Sequence, residues 1–356
     1  MLTINGLFLT RRLLHQGCRC LSSQGVFQNL NHFGLLQYDC PKIPAIIQSV
    51  NPHNVPNGDI AFIDLIDNES QERLHQDIHA FLHTSYCRDS NILSISEKND
   101  ILPSGNASLL IQIPHNYDIH AETCNIFVKE SEGSKLKITT EGDCKLGKIR
   151  SRNIDIFSKG ALDCKSILGN GYCYVGENAT FGKIQSNHFK IETGNGNLDI
   201  SSCYCPQLQC QSENGSIKIG DLHGSSDLKT ASGSLSVSAL AGSSNIQTQS
   251  GNIDIAVDTC GYVFIESEQG NISVGLSDSV SAYIESSGAF IDVPQDLLID
   301  GMKSEMSTGV QHFDGKLGSS TDNAITAKSL HGCIDFSRKS WFSKFNVELD
   351  GIILFE

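Results

Sequence analysis

The chain has few prolines and no long apolar run. Its 356 residues include 8 prolines, 3 methionines and one tryptophan. Polar residues interrupt every apolar stretch well short of a bilayer-crossing helix, so no integral membrane segment is expected. Charged residues make up only 19%. Hydrophobic residues reach 39%, enough for a core, which excludes pure disorder. Familiar chemical motifs are missing too. No Cys-x-x-Cys pair occurs among the 13 cysteines, and no Gly-Lys-Ser follows Gly169-Asn-Gly171 or Gly194-Asn-Gly196. The zinc-finger and phosphate-loop readings therefore fail.

Acidic residues are absent before Asp39, while Arg11, Arg12 and Arg19 lie among leucines and hydroxyl residues. That is the composition of a mitochondrial transit peptide, assigned to residues 1–38. Arg19-Cys20-Leu21-Ser22-Ser23 resembles a matrix-peptidase cleavage site. A secretory signal is the main rival, but Arg11-Arg12 breaks its apolar region. An unimported tail is the third reading. Removing the three arginines makes the net charge of −14 more negative still. Such a surface repels nucleic acid and anionic lipid. A protein partner of unspecified kind is compatible with it.

Glycine is abundant, at 32 residues. With so little proline, this favours many short strands and tight turns over long helices. A phrase recurs in the middle of the chain. It reads Thr193-Gly-Asn-Gly196-Asn-Leu-Asp-Ile200, Ser212-Glu-Asn-Gly215-Ser-Ile-Lys-Ile219 and Thr230-Ala-Ser-Gly233-Ser-Leu-Ser-Val237. Thr248-Gln-Ser-Gly251-Asn-Ile-Asp-Ile255 and Ser267-Glu-Gln-Gly270-Asn-Ile-Ser-Val274 follow. Weaker copies carry Gly142, Gly160 and Gly288. The interval is 18 or 19 residues, with one double gap whose midpoint is Asn178.

A fixed period of this size, with aliphatics alternating inside each unit, predicts an all-β fold: a single-stranded parallel β-solenoid with rungs of about 18 residues. Three inward columns are expected. They are Leu198, Ile217, Leu235, Ile253, Ile272; Ile200, Ile219, Val237, Ile255, Val274; and Ile191, Cys210, Leu228, Ile246, Ile265. The glycines are read as left-handed turn residues, with Asn178 replacing one of them. Flanking hydroxyl and amide ladders are expected to bond side chain to side chain between rungs. A sandwich of Gly-rich hairpins is the alternative. The division is 1–38 leader, 40–138 β-rich cap, 139–293 repeats, and 294–356 a last rung and cap. Trp341 is read as part of that cap, or as an exposed anchor for a partner.

Candidate chemistry is thin, and no catalytic, cofactor or metal residue is assigned. Cys203, Cys205 and Cys260 are weighed as a zinc or redox group. His75, His79 and His83 share a face only if they lie on a helix. Asp199, Asp254 and Asp292 point outward between aliphatics and are read as solvated surface.

The Thr/Ser-x-Ser/Asn-Gly-Asn/Ser-Ile/Leu-x-Ile/Val phrase resembles the "putative adhesin" family of β-solenoid domains, a domain of unknown function. The resemblance spans about 105–335 and is strongest over 190–293. With Asn51-Pro-His-Asn-Val-Pro56 and the ending Ser329-Leu-His-Gly332-Cys-Ile to Ser340-Trp341-Phe342, the chain is similar to an animal family carrying this domain behind a mitochondrial-type leader. The resemblance implies the fold and brings no catalytic residues. Three functions follow as expectations: a non-catalytic mitochondrial binding or scaffold protein, a secreted or surface adhesion protein, and a carbohydrate-acting β-helix enzyme.

Overall fold

The computed structural model describes residues 25–27, 30–50 and 59–339, without 75, 99–102, 104–105, 296, 298, 308 and 320–321. The leader's Arg-rich part, Asn51–Pro56 and Trp341 lie outside the described residues. Apart from one short 3-10 turn at Ile78–Ala80, the described elements are strands.

In the middle of the chain each rung pairs in parallel with the next. Ile191, Cys210, Leu228, Ile246 and Ile265 stand in register, one per rung. So do Leu198, Ile217, Leu235, Ile253 and Ile272, and the column two residues further on. All fifteen side chains are buried. One rung cannot enclose its own apolar face; the neighbours above and below complete the core.

Two sheets result. The front sheet holds the strands that lead into the repeated glycine, such as Gln207–Ser212. The back sheet holds those that follow it, such as Leu198–Tyr204. Within Ile217–Ser232 the inward residues are Ile217, Ile219, Leu222, Ser226, Leu228 and Thr230. The spacing of two slips to three and then to four, so the rung bends near Gly220 and again near Gly224. Gly224, Gly242 and Gly169 at the second bend have φ of +123°, +142° and +143°. Glycine is needed there because a β-carbon disfavours this backbone region.

The repeated glycines serve a different purpose, which corrects the left-handed-turn expectation. None of Gly142, Gly160, Gly196, Gly215, Gly233, Gly251, Gly270 and Gly288 has a left-handed φ. Instead the rungs approach closely at this corner. A β-carbon on Gly233, Gly251 or Gly270 would collide with the carbonyl of the glycine one rung earlier. Asn178 is not in that column. Leu198 pairs with Ala179, which sets Glu177 opposite Gly196 and Asn178 opposite Asn197.

The ladders also bond differently from the side-chain pairing expected. The Thr230, Thr248 and Ser267 hydroxyls donate to the carbonyls of Gly215, Gly233 and Gly251, at 3.0, 3.3 and 3.1 Å. The Asn178, Asn197 and Asn252 side-chain oxygens accept from backbone N–H groups of Asn197, Ser216 and Asn271, at 2.8, 2.9 and 2.9 Å. Both ladders tie side chain to backbone across rungs.

The stack extends beyond 139–293 at both ends, and the terminal rungs are interleaved. The rung built from Phe33–Cys40 and Ala45–Ser49 lies between 92–113 and 116–131, parallel to both. The rung Ala324–Ser329 and Cys333–Arg338 lies between 263–276 and 282–292. About thirteen rungs give a length of roughly 60 Å at about 4.8 Å each. Two expectations are corrected here. A leader ending at 38 would remove most of Phe33–Cys40, whose Leu36 and Tyr38 are buried. The successor of Gly270 in the close-packed column is Gly332, whose β-carbon would collide with the Gly270 carbonyl. Gly288 sits one rung further out and out of phase, because Ile291 pairs with Ile334.

Candidate functional surface

The outward side of the front sheet is the most structured surface of the rod. Alternation along each strand places every second residue there, and in-register stacking turns these residues into rows. One row runs Phe157, Tyr174, Glu192, Gln211, Lys229, Gln247, Glu266 and Lys328. At one end, the Phe157 and Tyr174 rings stack at 4.9 Å with 12° between planes. Phe157 is exposed.

The neighbouring side chains form three small polar groups. The Tyr172 hydroxyl donates to Glu192 at 2.6 Å, and Lys190 pairs with the same carboxylate at 2.6 Å. The Lys190 and Tyr172 hydrogen bonds hold the Glu192 carboxyl below the usual range. Burial, and then the bond to Glu192, raises the Tyr172 phenol. Further along, Gln247 donates to Glu266 at 3.1 Å, Asn245 donates to Asp227 at 2.8 Å, and Lys229 pairs with Asp227 at 3.1 Å. Next to these lies an open depression of about 360 Å³. Gln211, Lys229, Gln247 and Glu266 form one wall, and Glu213, Gln249 and Glu268 the other, with Ala231 between them. The small Ala231 side chain leaves the gap in the second row. These groups are preorganised for hydrogen bonding to a polar ligand or protein surface.

The structure keeps Cys203 and Cys205 in contact but separates them from Cys260. Cys203 and Cys205 are buried inside the rod. A hydrogen bond shared with Cys205, together with burial, holds the Cys203 thiol protonated. Cys260 pairs with Gly242, which pairs with Gly224, one rung beyond Cys205. Three rungs separate Cys260 from Cys205, about 14 Å, too far to share a metal. His79 lies on the 3-10 turn and His83 on the strand Leu82–Cys87, so they share no helical face; His75 lies outside the described residues. Asp199, Asp254 and Asp292 do point outward, and all three belong to one back-sheet row. Asp335 is the row's missed member. Burial, then the Asp292 charge beside it, raises its pKa. No group of three or more metal-ligating side chains is gathered among the described residues.

The aromatic pair was also missed. Phe157 and Tyr174 are 17 residues apart, one rung, and that spacing was the available signal.

Interior columns, two sheets and parallel rungs define this protein as a β-solenoid. A model of the family described as Toastrack DUF4097 matches residues 88–337, well over half of the chain, and the protein belongs to that family. The interleaved rung 33–49 lies outside the matched span, although both of its neighbours lie within it. A putative adhesin from Bacteroides fragilis is similar at 13% identity, covering 88% of this chain and 95% of that one, with a TM-score of 0.23. A putative adhesin from Parabacteroides merdae has 8% identity, coverage of 88% and 97%, and a TM-score of 0.32. A putative cell adhesion protein from Clostridium sporogenes has 10% identity, coverage of 89% and 99%, and a TM-score of 0.15. At these scores the overall superposition is poor and carries no argument about function. No helix among the described residues is long and apolar enough to cross a membrane.

Proposed function

We propose that this protein is a non-catalytic β-solenoid binding or scaffold module that works in mitochondria through its front face. The observation that carries the binding role is the row from Phe157 to Glu266: a stacked aromatic pair at one end and, further along, polar side chains held by hydrogen bonds across rungs at Tyr172–Glu192 and Gln247–Glu266. Such a surface is rigid before a partner arrives, which lowers the ordering cost of binding. Two features support the compartment. One is the acid-free, arginine-bearing start of the sequence. The other is the set of eleven free cysteines among the described residues, seven of them buried, which suits a reducing interior.

The adhesion reading uses the same face and fits the fold equally well. Proximity labelling with the tagged full chain separates the two. Mitochondrial matrix neighbours that are lost when Phe157 and Tyr174 are both changed to Ala support the proposal. Secretory-pathway neighbours would sink the mitochondrial part. Neighbours indifferent to the double substitution would sink the assignment of the face.

A further inference from the structure

The C-terminal end of the stack carries a hairpin whose outer strand has no further partner among the described residues. Val310–Leu317 pairs antiparallel with Ala282–Gly288 on one side and with Ile299–Ser307 on the other. Both of its edges are filled. Ile299–Ser307 has no second partner strand among the described residues. Residues 300–307 are exposed on both faces of this strand. Met302 is 60% exposed and Met306 73%. Gly301, inside the strand at its register shift, and Gly309, just beyond the strand, have φ of +66° and +82°, with open space where a β-carbon would lie.

A register shift between Asp300 and Lys303 interrupts the ladder, and beyond it residues 303–307 form a regular edge free of proline, which is a template for pairing. Its sequence specifies what pairs with it. Met302-Lys303-Ser304-Glu305-Met306 is self-complementary about Ser304. Antiparallel pairing on a two-fold axis through Ser304 sets Lys303 opposite Glu305 of a second copy, twice. Directly opposed side chains of this kind stabilise a sheet, and like charges in those places destabilise it. The two ion pairs lie together on one face of the new ribbon. Centring the axis on Lys303 or on Glu305 would oppose like charges, so the sequence selects the register. The Ser304 hydroxyl already accepts from Gln311 Nε2 at 3.1 Å, on the side facing its own hairpin.

We infer that Ile299–Ser307 is a homodimerisation edge, through which two copies join end to end by an isologous antiparallel contact. The contact continues the hairpin sheet of one rod into that of the other. It also doubles the number of front faces held in one particle.

Sedimentation equilibrium of the full chain tests this. A concentration-dependent dimer is expected. Lys303→Glu alone, or Glu305→Lys alone, opposes like charges and weakens the dimer about tenfold or more. The doubly reversed chain recovers the dimer. An equimolar mixture of the two single variants also recovers it, since each then faces its complement across the axis. Circular dichroism of each variant checks that the hairpin persists, since Lys303 also faces Asp314 and Glu305 faces His312 within it. A chain that stays monomeric at about 100 μM overturns the inference and leaves the edge to the segment after Lys339 or to another protein's strand. A dimer indifferent to the reversals, or variants that fail to rescue each other, also overturns it.

Discussion

The two ends of the rod solve the same problem to different degrees. Each end interleaves a rung, and each must cover the last strands of the stack. At the N-terminal end both terminal strands are covered. Leu82–Cys87 pairs antiparallel with Ile92–Glu97, and Ala61–Asp67 pairs antiparallel with Ala107–Ile113. A further strand, Gly25–Phe27, extends the cover. Buried Asp64 there is neutralised by Arg73 at 3.2 Å. At the C-terminal end, among the described residues, only the front strand is covered. Phe290–Asp292 pairs with Cys333–Arg338 and with no other strand among the described residues. Phe290 is 56% exposed. The difference teaches that antiparallel strands can cover the last rung on both sheets or on one, while each outermost covering strand keeps an outer edge with no partner strand among the described residues.

Substitutions sharpen this contrast. The largest effect is expected at the interleaved C-terminal rung. Gly332→Ala forces a β-carbon into the Gly270 carbonyl and should destabilise by about 3 kcal/mol or more. Gly288→Ala, one rung further out, meets the Ile334 side chain at 3.2 Å and the Gly332 carbonyl at an ordinary 3.4 Å, and should cost under about 1 kcal/mol. Urea denaturation measures both, and equal losses would contradict the assigned rung order. At the N-terminal end, Leu36→Ala empties a site buried between two rungs. A loss of about 2–5 kcal/mol is expected. Leu36→Ala with an unchanged midpoint would mean that the strand is dispensable.

Alkaline pH is the next test. Burial pushes the Cys40 thiol, in the N-terminal interleaved rung, up to about 12, and the Cys164 thiol in the middle also up to about 12. An unfolded thiol ionises near pH 8.5. Their contribution is therefore complete below that value and is lost as pH rises toward 12. Stability should fall across this window, and Cys40→Ser/Cys164→Ser should flatten the fall. A slope unchanged by the double substitution would argue against it.

The smallest effect compares two buried hydroxyls at the C-terminal end. The Ser329 hydroxyl donates to the Gly270 carbonyl at 2.9 Å, whereas the Ser286 hydroxyl has no partner among the described residues. Ser329→Ala should cost about 1 kcal/mol. Ser286→Ala should be neutral or slightly stabilising in the same titration.

What the sequence disclosed follows from how each part is built. The middle columns were legible because consecutive rungs are consecutive in sequence, so Leu228, Ile246 and Ile265 recur at a fixed interval. The interleaved rungs were not. Leu36 lies between Leu93 and Ile119, both far along the chain, and nothing near Leu36 repeats. Gly288 misled because its interval of 18 imitates the lattice, although its rung had been displaced by 324–338. The function of the glycines was misread for a related reason. A sequence marks where glycine recurs, but a missing side chain is required equally by a left-handed backbone and by a crowding neighbour. Outward positions were correctly placed by alternation. The pairing of Phe157 with Tyr174 needed the rung length of 17 at that point, shorter than the repeat.

Interleaving also bears on how the molecule carries load. In a solenoid wound in simple order, force on the chain ends unzips the outermost rung one hydrogen bond at a time. Here the first and last long strands are each clamped on both edges. Tension on Phe33 and Arg338 must slide a strand lengthwise between two neighbours, breaking both ladders together. The rod should therefore yield abruptly in a pulling experiment, with a high first rupture, where a fraying stack would lengthen in small steps.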